Sequence, residues 1–200
     1  MVGLVTASRV NGSSDSTAKP YLLNGAERYD LSLIKRVEEY VGRPEIPHDI
    51  QMATTMMRMY RMKPAIANPS LAAKGLVKSL TALPCNDFAV LLSAMGTGSL
   101  QQHPQIKCLL PFYTVLVSCN FTNFWEMMAS ETAAKEIIAS IPDFESGIRK
   151  YISSAIAKTY STISVSILAD SLDLRAGALD DFVKVVGWKM EGEVVHTKTL

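Results

Sequence analysis

Apolar residues recur at helical spacing along most of the chain. Leu31, Ile34, Val37 and Val41 share one face, and Gly42-Arg43-Pro44 stops that helix. From about Asp49, Ile50, Ala53, Met56, Met57 and Tyr60 form a second stripe, which Lys63-Pro64 ends. Asn68-Pro69-Ser70 opens a third helix, with proline early, where its missing N–H is no loss. There Ala72, Leu76, Leu80 and Leu83 face inward, and Pro84 closes it. Asn86 or Asp87 is expected to cap a fourth, through Phe88, Leu91, Leu92 and Met95. His103-Pro104 opens a fifth with Ile106, Leu109, Leu110, Tyr113, Leu116 and Val117; Pro111 inside it predicts a kink or a late start. Phe121 to Met128 and Thr132 to Ala139 predict short helices. Ser140-Ile141-Pro142-Asp143 reads as a helix start, Pro142 presetting φ and Asp143 and Glu145 favouring the positive end of the dipole. Phe144, Ile148, Tyr151, Ile152, Ala155, Ile156 and Tyr160 then hold one stripe for about four turns.

The pattern changes after residue 160. Ile163, Ile167, Leu168 and Leu172 predict a short helix. Leu179, Phe182, Val183 and Val186 predict a second over Ala176 to Val186, with Gly187 at its C-terminal cap. Trp188 to Met190 and Val194 to His196 alternate around Glu191-Gly192, as in a small hairpin. Helix, helix and hairpin in that order predict a winged helix. The expected fold is mostly α: a HEAT-like helical-repeat array over residues 25–140, then a winged-helix module over 141–200. Residues 1–24, with the stretch NGSSDSTAKP, read as a flexible N-terminal tail.

Composition narrows the function. The 200 residues are 48% hydrophobic and 20% charged, with net charge +1, which suits a packed core and excludes a strongly basic nucleic-acid binder. Residues 1–100 carry +3 and residues 101–200 carry −2. The three cysteines, Cys85, Cys108 and Cys119, have no CxxC spacing, so buried thiols in a reducing compartment are expected rather than disulfides or zinc. The apolar run Leu109 to Phe121 is too short and too polar to cross a bilayer, and MVGLVTASRV does not predict a secretory leader.

Candidate chemistry is sparse. His48, His103 and His196 lack a partner at metal-ligand spacing and read as surface or capping residues. Gly96-Thr97-Gly98-Ser99 lacks the lysine of a P-loop and the third glycine of a dinucleotide turn, and reads as a plain loop. No catalytic residue, cofactor or metal is expected. Met56 to Lys63 mixes methionines with basic residues. It reads as an amphipathic helix with Met56, Met57 and Tyr60 in the core and Arg58 and Arg61 solvated, in preference to an RNA or partner groove. Residues 160–200 hold four basic and six acidic residues, and the helix that would read DNA carries Asp180 and Asp181. A protein-binding winged helix is therefore preferred to a nucleic-acid-binding regulator. Its partner surface is expected at Trp188, Val194, Val195 and His196, with an unpaired strand edge at Val194 to Thr197 open to β-addition. Trp188 also suits a core position just after a helix cap.

Several motifs then carry a family. Asn68-Pro69, Lys78-Ser79-Leu80, Ala82-Leu83-Pro84 and Asp87-Phe88 resemble the NP-initiated helix and following pattern of the k subunit of eukaryotic translation initiation factor 3. Cys119, Phe121, Phe124 and Trp125 resemble that family's "C-F–FW" turn. Phe144-Glu145, Ile148 to Ile152 and Thr159-Tyr160 resemble its long helix, and Leu179, Val183, Gly187 and Trp188 the end of its winged helix. The loop from Gly96 to His103 and Pro111 depart from the pattern. The resemblance implies a PCI-type, non-catalytic scaffold subunit in the cytoplasm. It implies as partners the other initiation factor 3 subunits, especially the l subunit, and the small ribosomal subunit through the complex, with no DNA and no membrane. Small PCI subunits of the proteasome lid or the COP9 signalosome are the alternative.

Overall fold

The computed structural model describes residues 25–197; the tail expected over residues 1–24 lies outside them. Two 3₁₀ turns, Gly25–Tyr29 and Leu31–Leu33, lead into α1 (Ile34–Gly42). α2 (Ile50–Met62) starts where the Asp49 carboxylate accepts the Gln51 and Met52 amides. α3 (Pro69–Leu80) starts where the Asn68 side chain accepts those of Ser70 and Leu71, with Pro69 in the first turn. α4 is Asp87–Met95, ended by Gly96 at φ +73°. α2 packs between α1 and α4 and is buried on most of its circumference, including Met59 beside the expected Met56, Met57 and Tyr60. Arg58 is half-buried and Arg61 exposed.

The predicted fifth helix is two pieces, α5 (Pro104–Lys107) and α6 (Leu109–Val117). Pro111 falls in the first turn of α6, where an amide would be unpaired anyway, so the late start expected from it is what the chain does. α7 (Phe121–Ser130) and α8 (Thr132–Ala139) follow, then the long α9 (Phe144–Thr159). α9 begins differently from the prediction. Asp143 adopts a left-handed φ of 57° and makes no side-chain cap, so Pro142 lies outside the helix. Ser146 instead donates its hydroxyl to the Asp143 carbonyl at 2.8 Å.

The winged helix contains a strand that the pattern did not reveal. Ile163 belongs to β1 (Thr162–Ser164), not to a helix; α10 covers only Val165–Leu172. α11 (Ala176–Val186), β2 (Lys189–Glu191) and β3 (Val194–His196) complete the module. The sheet is antiparallel in the order β1-β3-β2, with Ile163 opposite Val195 and Met190 also opposite Val195. Glu191 pairs with Val194 across a two-residue turn, Gly192-Glu193, in which only Gly192 has positive φ, the arrangement of a type II′ hairpin. The expected fold class, mostly α with a helical array and a terminal winged helix, is borne out. One hydrophobic cluster runs from Val37 to Val195, through array and sheet alike.

β1 also overturns the expected free edge. Val194 to His196 form the central strand, hydrogen-bonded on both sides, so β3 has no edge to offer. The sequence suggested a two-stranded hairpin; a third strand, brought back from before α10, closes its outer side.

Candidate partner-binding surface

The four residues expected at the interface divide by pleat. Val195 is fully buried and Trp188 is 5% exposed, so both sit in the core beneath the sheet. Val194 and His196 point outward, and His196 lies 3.5 Å from Glu191 on the neighbouring strand. Alternation along β3 produces this split, since successive side chains take opposite faces.

The sheet has two outer edges, and they differ. β2 carries the exposed charges of Lys189 and Glu191, a pattern that discourages pairing with another strand. β1 carries only Thr162 and Ser164 beside buried Ile163. The Thr197 amide donates to the Ser161 carbonyl and the Val165 amide to the Glu193 carbonyl. In an antiparallel ladder, bonding alternates residue by residue. Residues 161, 163 and 165 therefore face β3, and the N–H groups of Thr162 and Ser164 and the C=O of Thr162 face away.

That outer edge opens onto a cavity of about 440 Å³ between α9, β1 and α10, lined among others by Phe121, Ile156, Tyr160, Thr162 and Ile167. Tyr160 is 54% and Ile167 57% exposed at its rim. Main-chain donors and acceptors beside an apolar groove are what an added extended segment requires. Sequence reasoning missed Tyr160, Thr162 and Ile167 as surface. The signal was the polar-apolar-polar order of Thr162-Ile163-Ser164, three residues long and absorbed into the neighbouring helical pattern.

The groove is held in place by a seam of polar contacts that ties α10 to α7 of the array and to α9, and α9 to α6. The Trp125 indole on α7 donates to the Ser171 carbonyl at 2.9 Å, and Arg149 Nε on α9 donates to the Leu172 carbonyl at 3.0 Å. Both acceptors lie at the C-terminal end of α10, the negative end of its dipole. The Arg149 guanidinium lies 5.0 Å from the Trp125 ring centre and pairs with Glu145 at 3.0 Å. Tyr151 donates to the Leu116 carbonyl at 3.3 Å and meets Phe121 edge to face.

Elsewhere the titratable residues act within the fold. His48 is not a surface residue: its ring lies 3.0 Å from the Asp87 carboxylate, and its side chain is 7% exposed. Asp87 is the first residue of α4; the N-cap position belongs to Asn86, which makes no side-chain cap hydrogen bond. Burial pushes His48 below its ordinary value, against the opposing pull of Asp87. Lys78 is 5% exposed and donates to the carbonyls of Val41, Arg43 and Ile46. Burial pushes the Cys108 thiol up. Cys85 and Cys119 are exposed, a correction to the buried thiols expected of them. Among the described residues no group of three His, Cys, Asp or Glu side chains is placed to hold a metal ion, and no helix is long and apolar enough to cross a membrane.

The model of the CSN8/PSMD8/EIF3K family matches residues 66–199. Eukaryotic translation initiation factor 3 subunit K of Nematostella vectensis is 29% identical over 170 residues, covering 84% of this chain and 77% of that protein. The protein of the same name from Dictyostelium discoideum is 30% identical over 179 residues, covering 87% and 71%. The one from Homo sapiens is 27% identical over 173 residues, covering 85% and 78%.

Proposed function

The chain belongs to the CSN8/PSMD8/EIF3K family, and on that premise we propose that it is a scaffold subunit of eukaryotic translation initiation factor 3. One observation carries this reading: relatives from animals and a slime mould, all named subunit K of that factor, align with more than four-fifths of the chain. The protein works without catalysis, in the cytoplasm, by offering surfaces to neighbouring subunits. The l subunit meets the winged helix, and the small ribosomal subunit is engaged through the assembled complex.

The unpaired β1 edge and the apolar groove beside it support this reading of the first contact. A strand or extended segment of the l subunit adds to the outer edge of β1, and its side chains fill the groove beside Tyr160 and Ile167. Val194 and His196 on the outer face of the sheet extend the contact, while Trp188 and Val195 support it from below. A stable interface of this kind buries about 1,600 Å² in total. DNA reading is disfavoured by α11, whose exposed side carries Asp180 and Asp181 against Lys184.

Affinity purification of the tagged chain from cells tests the assignment. Recovery of initiation factor 3 subunits is expected; recovery of proteasome-lid or COP9 signalosome subunits alone would overturn it in favour of the other branches of the family. Ile167→Glu tests the surface. It places a charge at the exposed rim, and stability should change by less than about 0.5 kcal/mol. Retention of the l subunit should fall roughly ten-fold; unchanged retention refutes the β1 groove as the contact.

A further inference from the structure

A second cavity, about 410 Å³, lies on the array between α2 and α4. Its floor is aliphatic, formed by Ala89, Val90 and Ala94, and Val90 is 44% exposed. Its rim is basic. Arg58 and Arg61 stand three residues apart on α2, so their side chains are neighbours on one helix face. Neither guanidinium has an ion pair or hydrogen bond among the described residues. Among the described residues no carboxylate lines the cavity. α2 carries no acid, and the one acid of α4, Asp87, is engaged by His48.

The position of Arg61 is built into the backbone. A Cβ at Gly96 would lie 3.2 Å from Arg61 Cδ, so the glycine that ends α4 at positive φ also makes room for the arginine stem. The stem is packed while the charged head stays at the groove, the division of labour usual for long basic side chains.

We propose that this groove docks an acidic amphipathic segment of a neighbouring protein subunit. Its apolar side chains lie over Ala89, Val90 and Ala94. Two of its carboxylates, about one helical turn apart, meet the Arg58 and Arg61 guanidiniums, which match carboxylates in a planar fork. A nucleic-acid backbone would meet the same two charges, but the described lining residues offer no aromatic face on which a base could stack. The surface is separate from the β1 groove, and it rests on the reading of the chain as an assembly subunit.

The test uses the full chain in cells with p-benzoylphenylalanine in place of Val90, irradiated and then purified. The expected product is a crosslink to a protein segment that carries Asp or Glu pairs at i,i+3 or i,i+4. Its yield should fall roughly ten-fold in R58E/R61E, and basic residues in place of the partner's carboxylates should restore it. Should R58E/R61E melt early by circular dichroism, R58Q/R61Q replaces it with the same expectation. A crosslink to RNA, a crosslink to a segment without acids, a yield indifferent to the arginines, or no crosslink overturns the proposal. Co-purified initiation-factor subunits are scored in the same sample. Their presence without the crosslink sinks this inference alone, and their absence with the crosslink intact sinks the proposed function alone.

Discussion

The α1–α4 array and the winged helix use their sequences in opposite ways. In α2, eight of 13 residues are buried, among them four methionines and two threonines. In α10, two of eight are buried, Leu168 and Leu172. The array seals its middle helix and partners its large buried polar side chains: Lys78 with three carbonyls, Tyr60 with Glu38 at 2.6 Å, His48 with Asp87. The winged helix instead leaves Tyr160 and Ile167 on one rim and Val185 85% exposed. Apolar side chains left at a surface beside an unpaired strand edge are unfinished business for a fold. One end of this molecule thus closes its backbone pairing by its own contacts and meets partners through side chains alone, while the other leaves a strand edge for a partner to complete.

The largest effect should come from breaking the platform's polar key. Lys78→Ala leaves the carbonyls of Val41, Arg43 and Ile46 without their donor, at the end of α1 where the helix dipole is negative. Losing a buried, charge-assisted cluster of this kind should cost about 3 kcal/mol, read as a lower urea midpoint at constant slope. A loss below about 1 kcal/mol would mean that the array is held by its methionines and leucines alone.

Next in size is the seam. Trp125→Phe keeps an aromatic ring on α7 but removes the hydrogen bond to Ser171 and weakens the contact with Arg149. The expected cost is about 1–2 kcal/mol. A cost as large as that of Lys78→Ala would move the main constraint from the array to the join. That outcome would erase the contrast between platform and open end.

Much of the array was legible because its signals are local. Asp49 and Asn68 cap their helices as their positions foretold, and the stripes of α2, α3 and α9 fall on buried faces. Signals that depend on a distant partner were not legible. Asn86 stands at the N-cap of α4 without a side-chain cap, and the carboxylate of Asp87, the first helical residue, is taken by His48, 39 residues earlier in the chain. Lys78 counted only as part of a motif, because nothing local says that three carbonyls from the end of α1 and the loop after it converge on it. β1 is three residues long, and its pairing with β3 spans more than 30 residues of sequence. The interface expectation failed at that point: a correct hairpin, read without its third strand, put the free edge on the central strand. Val194 and His196 remain on the outer face, but the edge that can accept a partner belongs to Thr162 and Ser164.

The smallest predicted effect separates the two regions by pH. Burial holds His48 below 6.5, its ordinary value, although Asp87 pulls the other way. As pH falls below 6.5, the unfolded chain therefore takes up the proton before the folded one does. Stability is fully present above that pH and declines as pH drops toward the folded value. If the attraction of Asp87 outweighed burial, the folded value would be raised and stability would instead be lost as pH rises. The melting temperature of the native chain relative to His48→Gln should thus fall between pH 7.5 and pH 5.5; a relative rise would reverse the assignment. Hydrogen exchange sharpens the point, because amide protection reports regional opening. The loss should appear first in the amides of α2 and α4, which flank His48, while α10 and α11 follow only global unfolding. An equal early loss in α10 would show that the seam through Trp125 and Arg149 couples the open end to the platform tightly enough for both to respond as one unit.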